Sequence, residues 1–164
     1  MRALFALMLT ATAACAAEWH TYANDRFGVT IDVPPGFKQM GEEPSNSDGL
    51  TFASSDGKAI LSVWGNNILA DNFKAQLQDD FKSDQADGWA VSYGAADRGA
   101  KMTWAVYSGT KGDMIMYERA MASCHGTQML HFRIEYPMAQ KQAYDTVVTH
   151  LGKSLRAGPA FYCS

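Results

Sequence analysis

Cysteine, proline and cationic clusters are scarce in this 164-residue chain, and no hydrophobic run approaches the length of a membrane span. A spanning helix takes about 20 consecutive apolar residues, whereas the most apolar stretch, Ala3 to Leu9, is far shorter. The 14 Lys and Arg residues are scattered among 17 Asp and Glu, for a formal charge of −3. Without a basic patch to displace counterions from phosphates, nucleic acid and anionic membranes are disfavoured as partners. Catalytic signatures are missing too. There is no Gly-x-Ser-x-Gly elbow for a hydrolase nucleophile, and neither His-Glu-x-x-His nor Cys-x-x-Cys for zinc. Gly152-Lys153-Ser154 matches the end of a phosphate-binding loop, but Val147 stands where that loop needs its first glycine. No internal repeat or low-complexity segment is present.

What is present begins with an address. Arg2, the apolar run Ala3 to Leu9 and the small residues Ala13-Ala14-Cys15-Ala16-Ala17 form the pattern that signal peptidase reads. The expected organisation is a signal peptide over residues 1–17 and a single domain over 18–164, cut near Ala17 or Glu18. The remaining chain, about 147 residues, can bury roughly 70% of its unfolded surface, enough for one core. Loss of Arg2 leaves 13 basic against 17 acidic residues, a charge of −4. The expected location is periplasmic or secreted, where ATP is absent and disulfides persist. Cys15 leaves with the signal, so Cys124 and Cys163 are expected to pair; two free thiols are the alternative. Closing a loop of roughly forty residues contributes about 4 kcal/mol in the chain-entropy account. Lipid attachment at Cys15, giving an envelope lipoprotein, is the competing reading, weakened by Thr12 where such sites usually carry leucine.

Hydrophobic periodicity predicts the elements. Phe27 to Val33 alternates apolar and polar as a half-buried strand, ended by Pro34-Pro35-Gly36. The polar stretch Gly41 to Gly49 is a loop. Leu50 to Ala53 and Ala59 to Trp64 flank Asp56-Gly57 as a hairpin. From Asp71 the period changes: Phe73, Leu77 and Phe81 recur every four residues, with Asp71 or Asn72 placed to cap a helix ending before Gly88. Four strands follow near 89–94, 101–107, 113–122 and 127–136, with connections short enough to force antiparallel neighbours. Tyr144, Val147, Val148, Leu151 and Leu155 mark a second amphipathic helix ending near Arg156. Helices interleaved with a largely antiparallel sheet predict an α+β sandwich.

The last hairpin can be read in register. With His125-Gly126 at the turn, Ile115, Tyr117, Met121, Leu130, Phe132, Ile134 and Tyr136 share one face, and Glu118 falls opposite Arg133 on the other. Arg119 is discordant on the apolar face. Either its aliphatic stem packs there while the guanidinium reaches water, or it marks a functional surface. On the opposite face Met129 and His131, with Met114, Met116 and the nearby Cys124, are soft ligands that would suit copper. Methionine as a packing residue explains the same pattern more simply. Trp64, Trp89, Trp104, Tyr93 and Tyr107 are candidates to line an apolar cleft, or to fill the core. Glu42, Glu43 and Asp48 in the polar loop lack the spacing of a calcium site. No cofactor is expected.

Several words of the sequence point to a family. Tyr22-Ala23-Asn24-Asp25-Arg26-Phe27-Gly28, Ile31-Asp32-Val33-Pro34 and the Asp56-Gly57 hairpin resemble the opening of exported bacterial proteins of the Mog1/PsbP-like type. Ser108-Gly109-Thr110-Lys111-Gly112, Tyr117-Glu118-Arg119 and Phe132-Arg133-Ile134-Glu135-Tyr136-Pro137, with the closing helix to Ser154-Leu155-Arg156, resemble their latter half. The resemblance implies an antiparallel sheet flanked by two helices, and an accessory or binding role without a shared catalytic centre. It carries over no catalytic residue, and fold alone does not set function. The expectation is therefore a non-catalytic binding module with a protein or small-molecule partner. A small envelope hydrolase and a Met/His copper protein are the alternatives.

Overall fold

The computed structural model describes residues 18–99, 101–158 and Cys163; the predicted export segment 1–17, with Cys15, lies outside the described residues. Among the described residues no helix is long and apolar enough to cross a membrane.

The chain opens with β1 (His20–Ala23) and β2 (Val29–Val33), an antiparallel pair. Their connection is held by Asn24, whose Oδ1 accepts from Phe27 N at 2.9 Å, and by Gly28 at φ +71°. After β3 (Lys38–Gln39) and the polar loop come β4 (Gly49–Ala53) and β5 (Ile60–Asn67). Gly57, at φ +69°, makes the expected reversal between them, where Asp56 Oδ1 accepts from Ser54 Oγ and Lys58 N. Helix α1 (Phe73–Ala86) starts at Asn72, whose Oδ1 accepts from Ala75 N at 3.1 Å and satisfies one otherwise unpaired donor. Then follow β6 (Ala90–Ala96), β7 (Trp104–Lys111), β8 (Met114–Ser123), β9 (Gln128–Pro137), α2 (Lys141–Ser154) and β10 (Arg156–Ala157).

Seven strands form one antiparallel sheet in the order β3-β4-β5-β9-β8-β7-β6, and β1-β2-β10 form a second, smaller sheet. The predicted register of the last hairpin holds: Glu118 faces Arg133 and Ser123 faces Gln128. Its turn is closed by Thr127 N donating to Cys124 O at 3.1 Å, and Cys124 and His125 take positive φ, at 52° and 57°, along with Gly126 at 90°. The sheet connection before it differs from expectation. Ser108 to Lys111 stays in β7, and the reversal comes at Gly112, φ +60°. Gly109 instead lies opposite a bulge, where the β6 register shifts between Val91 and Tyr93. A Cβ at Gly109 would stand 3.0 Å from Ala90 O, so this glycine admits close backbone approach within the strand. The strands β1, β3 and β10 are short; β1 and β3 pair with the strand that follows each, and β10 pairs with the distant β2.

Both faces of the large sheet are covered. On one, Leu61, Val63, Leu130, Phe132 and Ile134 pack against Val29, Ile31 and Val33 of the small sheet and Leu151 of α2. Tyr144, Val147 and Val148 of α2 join this cluster, as their helical spacing predicts. On the other, Phe73, Leu77 and Phe81 of α1 pack over Ala105, Tyr107, Met116, Ala120 and Met129. The predicted α+β sandwich is what forms.

Candidate functional site

Strand register gathers polar side chains on the face beneath α1. Tyr107 pairs with Glu118, Glu118 with Arg133, and His131 with both Ala120 and Trp64. Since side chains alternate along a strand, these residues share a face with Met116 and Met129. One turn apart on α1, Asp80 and Asp84 sit above them.

The result is a buried ion network. Arg133 Nη2 donates to both oxygens of Asp84 at 2.6 Å, and Arg133 Nε donates to Glu118 Oε2 at 2.7 Å. Tyr107 Oη donates to Asp84 Oδ2 at 2.8 Å. His131 Nδ1 lies 3.0 Å from Glu118 Oε1, and His131 and Glu118 are each 2% exposed at the side chain. Burial alone would raise the Glu118 pKa, but the hydrogen bond from His131, with the charge and hydrogen bond of Arg133, outweighs it and holds the carboxyl below its ordinary range. An ionised carboxylate can only accept, so Nδ1 carries the proton of the shared bond. Tyr107 is pushed up by burial and by the Glu118 and Asp84 charges, which keeps it a neutral donor. Arg133 loses water, an effect that lowers its pKa, yet the two carboxylates raise it overall and keep it charged.

Two groups at this site are not balanced. His131 Nε2 is buried without a hydrogen-bond partner, while Trp64 stacks on the imidazole with centroids 4.7 Å apart and planes within 6°. An unpaired buried polar atom costs about 1–3 kcal/mol. Asp80 accepts from Gln76 Nε2 at 3.1 Å and has no cationic partner among the described residues. Its carboxyl is raised, first by burial, then by the neighbouring Glu118 and Asp84 charges. These groups line a cleft of about 460 Å³ between α1 and the sheet.

The other predicted residues separate. Met129 packs with Phe73, Ala105 and Ala120, Met116 packs with Trp89 and Tyr107, and Cys124 is bonded to Cys163 with their Cα atoms 5.2 Å apart. Among the described residues no set of three His, Cys, Asp or Glu side chains could hold a metal ion. Arg119 takes a middle course between the two expectations. It is half-buried with its guanidinium over Trp104, Cζ 5.5 Å from the ring centroid, while Nε is buried and unpaired. The proposed aromatic cleft is divided by the sheet. Trp89 and Tyr107 are under α1, whereas Trp104, paired with Met121, is on the α2 side; the Tyr93 side chain lies outside the described residues. The acidic loop is tied by protein, since Asp48 accepts from Arg26 Nη1 and Asn46 Nδ2.

A second, more open cluster joins the start of the domain to α2. His150 Nε2 lies 2.9 Å from Asp32 Oδ2, Thr21 Oγ1 donates to Asp32 Oδ1, and Trp19 stacks on His150 with centroids 3.8 Å apart. The bond from His150 leads in holding the Asp32 carboxyl below its ordinary range.

Sequence reasoning found the Glu118 and Arg133 pair but missed Asp84, Tyr107 and the role of His131. The available signal was the alternation Glu118, Ala120 and Met129, His131, Arg133: ionisable residues on a sheet face otherwise apolar enough to be covered.

No protein-family model and no curated protein sequence matches the chain. Its three-dimensional structure is similar to the solution structure of cyanobacterial PsbP (CyanoP) from Synechocystis sp. PCC 6803, with a TM-score of 0.65 and 12% identity over 92% of this chain and 98% of that one. The Ran-binding protein Mog1p of Saccharomyces cerevisiae is similar at a TM-score of 0.58 and 11% identity, covering 88% of this chain and 97% of that one. A point mutant of Mog1 gives a TM-score of 0.61, 11% identity and coverage of 90% and 100%. The class defined here is the Mog1/PsbP-like α+β fold. At such identity the likeness concerns the fold.

Proposed function

We propose that this chain is an exported, non-catalytic binding or accessory module of the bacterial envelope, acting in the periplasm or outside the cell. The observation that carries the reading is the state of its most reactive group. His131 is oriented by Glu118 as a general base would be, yet no hydroxyl or thiol of the described residues lies within hydrogen-bond distance of Nε2. Of the other ionisable groups of that face, Asp84, Glu118 and Arg133 are engaged with one another, as in a scaffold. The fold shared with PsbP and with Mog1p, a protein named for binding Ran, is compatible with a protein partner. The pattern Arg2, Ala3 to Leu9 and Ala13 to Ala17 supports export.

Native mass spectrometry of the protein recovered from its own envelope tests the reading. The expected mass begins near Ala17 or Glu18, lies two hydrogens below the reduced value, and is accompanied by a stoichiometric partner. An uncut chain, or a lipid increment on Cys15, overturns the soluble exported form. Turnover of simple esters that His131→Ala abolishes overturns the non-catalytic one and favours the hydrolase.

A further inference from the structure

We propose that the cleft between α1 and the sheet binds a small organic ammonium ion, with His131 Nε2 accepting an ammonium N–H, Asp80 supplying counter-charge and Trp64 an aromatic wall. This rests on the reading of the chain as a binding module and assigns that module a ligand class.

Four observations combine. The first is hydrogen-bond accounting. Glu118 Oε1 accepts a hydrogen bond from His131 Nδ1–H, the tautomer whose lone pair is on Nε2, and that atom is buried and unpartnered at the cleft wall. Such a lone pair is satisfied by a donor. The second is charge. Around the cleft α1 contributes Asp80 and Asp84, β8 contributes Glu118, and β9 contributes Glu135, His131 and Arg133. Arg133 is the one permanent cation in this set and is already shared between Asp84 and Glu118. Asp80 and Glu135 have no cation of the described residues to pair with. A cation entering here meets an excess of negative charge in a partly desolvated site, where attraction is screened less than in water.

The third observation is the wall itself. Trp64 is half-buried and bound on one ring face by His131, and an indole attracts organic cations through its quadrupole. The fourth separates an organic cation from a metal ion. No set of three His, Cys, Asp or Glu side chains that could hold a metal ion is in place among the described residues, and about 460 Å³ is the size of small-molecule pockets rather than of an ion site. A donor, a positive charge and an apolar body together describe an alkylammonium.

The test uses the full disulfide-bonded chain, n-butylammonium chloride as the probe, and tetramethylammonium and sodium chlorides at matched ionic strength. Imidazole ¹⁵N resonances report on His131 directly. The expected result is a saturable shift of His131 Nε2 with butylammonium. Affinity should fall by about tenfold for tetramethylammonium, which lacks an N–H, and by about tenfold in Asp80→Asn. Asp80 is only half-buried, so this variant should keep its fold, which circular dichroism checks. Equal response to butylammonium and tetramethylammonium, affinity unchanged in Asp80→Asn, or no saturable shift in the wild type overturns the proposal. A stoichiometric protein partner seen by native mass spectrometry while the amine titration fails removes the ligand class and leaves the binding-module reading standing.

Discussion

Glu118 and His131 are cross-strand diagonal neighbours whose side chains meet at 3.0 Å inside the protein, each 2% exposed. Glu118 also receives Arg133, so one carboxylate orders an imidazole and a guanidinium and, through Arg133, fastens Asp84 of α1 to the sheet. The polar contact has a structural burden: α1 meets the sheet with only Phe73 buried among its apolar residues, Leu77 and Phe81 being partly exposed.

Removing the carboxylate therefore strands Arg133 and His131 in a dry environment. Glu118→Ala should lose about 3–5 kcal/mol of stability in urea unfolding, the range for breaking a buried ion pair. The pH dependence follows from the lowered pKa of Glu118. Its contribution is complete above the ordinary glutamate range and is lost as pH falls through the folded-state value. Wild type and variant should converge in stability under acid conditions, and curves that stay parallel would contradict the pairing.

Asp80 behaves in the opposite sense. Burial and like charges raise its pKa, so the folded state resists its ionisation and a penalty accumulates as pH rises from the ordinary aspartate value through the raised one. Asp80→Asn should be more stable than wild type at neutral pH and equal to it below the ordinary range. Thermal melts at the two conditions decide this; a variant less stable at neutral pH would show that Asp80 is paired after all.

Gly65 is set by contact rather than by backbone conformation. A Cβ there would stand 2.3 Å from Phe27 Cβ, where β5 meets the loop that precedes β2. Phe27 is 4% exposed and has no room to withdraw. Gly65→Ala should destabilise by about 1–3 kcal/mol through overpacking, and the double variant with Phe27→Gly, which removes the clashing Cβ, should recover part of the loss. A fully additive double variant in a mutant cycle would argue against direct contact.

The Cys124–Cys163 bond closes a sequence separation of 39 residues. Cys163→Ser should lower stability by about 4 kcal/mol on the chain-entropy account. Wild type in reductant should fall to the level of the variant, measured by denaturant midpoint. Equal midpoints for oxidised wild type and variant would show that the clasp adds nothing.

Helix α1 is capped by Asn72, and Asn72→Ala should cost about 1 kcal/mol. Hydrogen exchange at Ala75, whose amide loses its acceptor, is the local readout. Unchanged protection there would mean that the cap is not formed in solution.

Much of the architecture was legible because it is local. Apolar residues every second position marked β2, β8 and β9, and Phe73, Leu77 and Phe81 marked α1. The Glu118 and Arg133 register followed from keeping charge off the apolar face, and it holds. Gly109 misled because a glycine needed for close approach at a bulge looks the same as one needed for a turn. The aromatic cleft failed for a related reason. Trp104 and Tyr107 are three residues apart, an odd spacing that sends them to opposite faces of β7.

The site needed the third dimension. Asp84 and Arg133 are 49 residues apart, and Asp32 and His150 are 118 apart. Period and turn chemistry state which face a side chain takes, since they depend only on backbone geometry within an element. They do not state what covers that face. By itself the sequence determined two helices, the order and pairing of the main hairpins, and Cys124 with Cys163 as the expected pair. Packing of α1 across β7, β8 and β9 decided the rest. Only when that helix excludes water do Asp84, Glu118 and Arg133 become mutually dependent, and only then is His131 left with one nitrogen satisfied and one waiting.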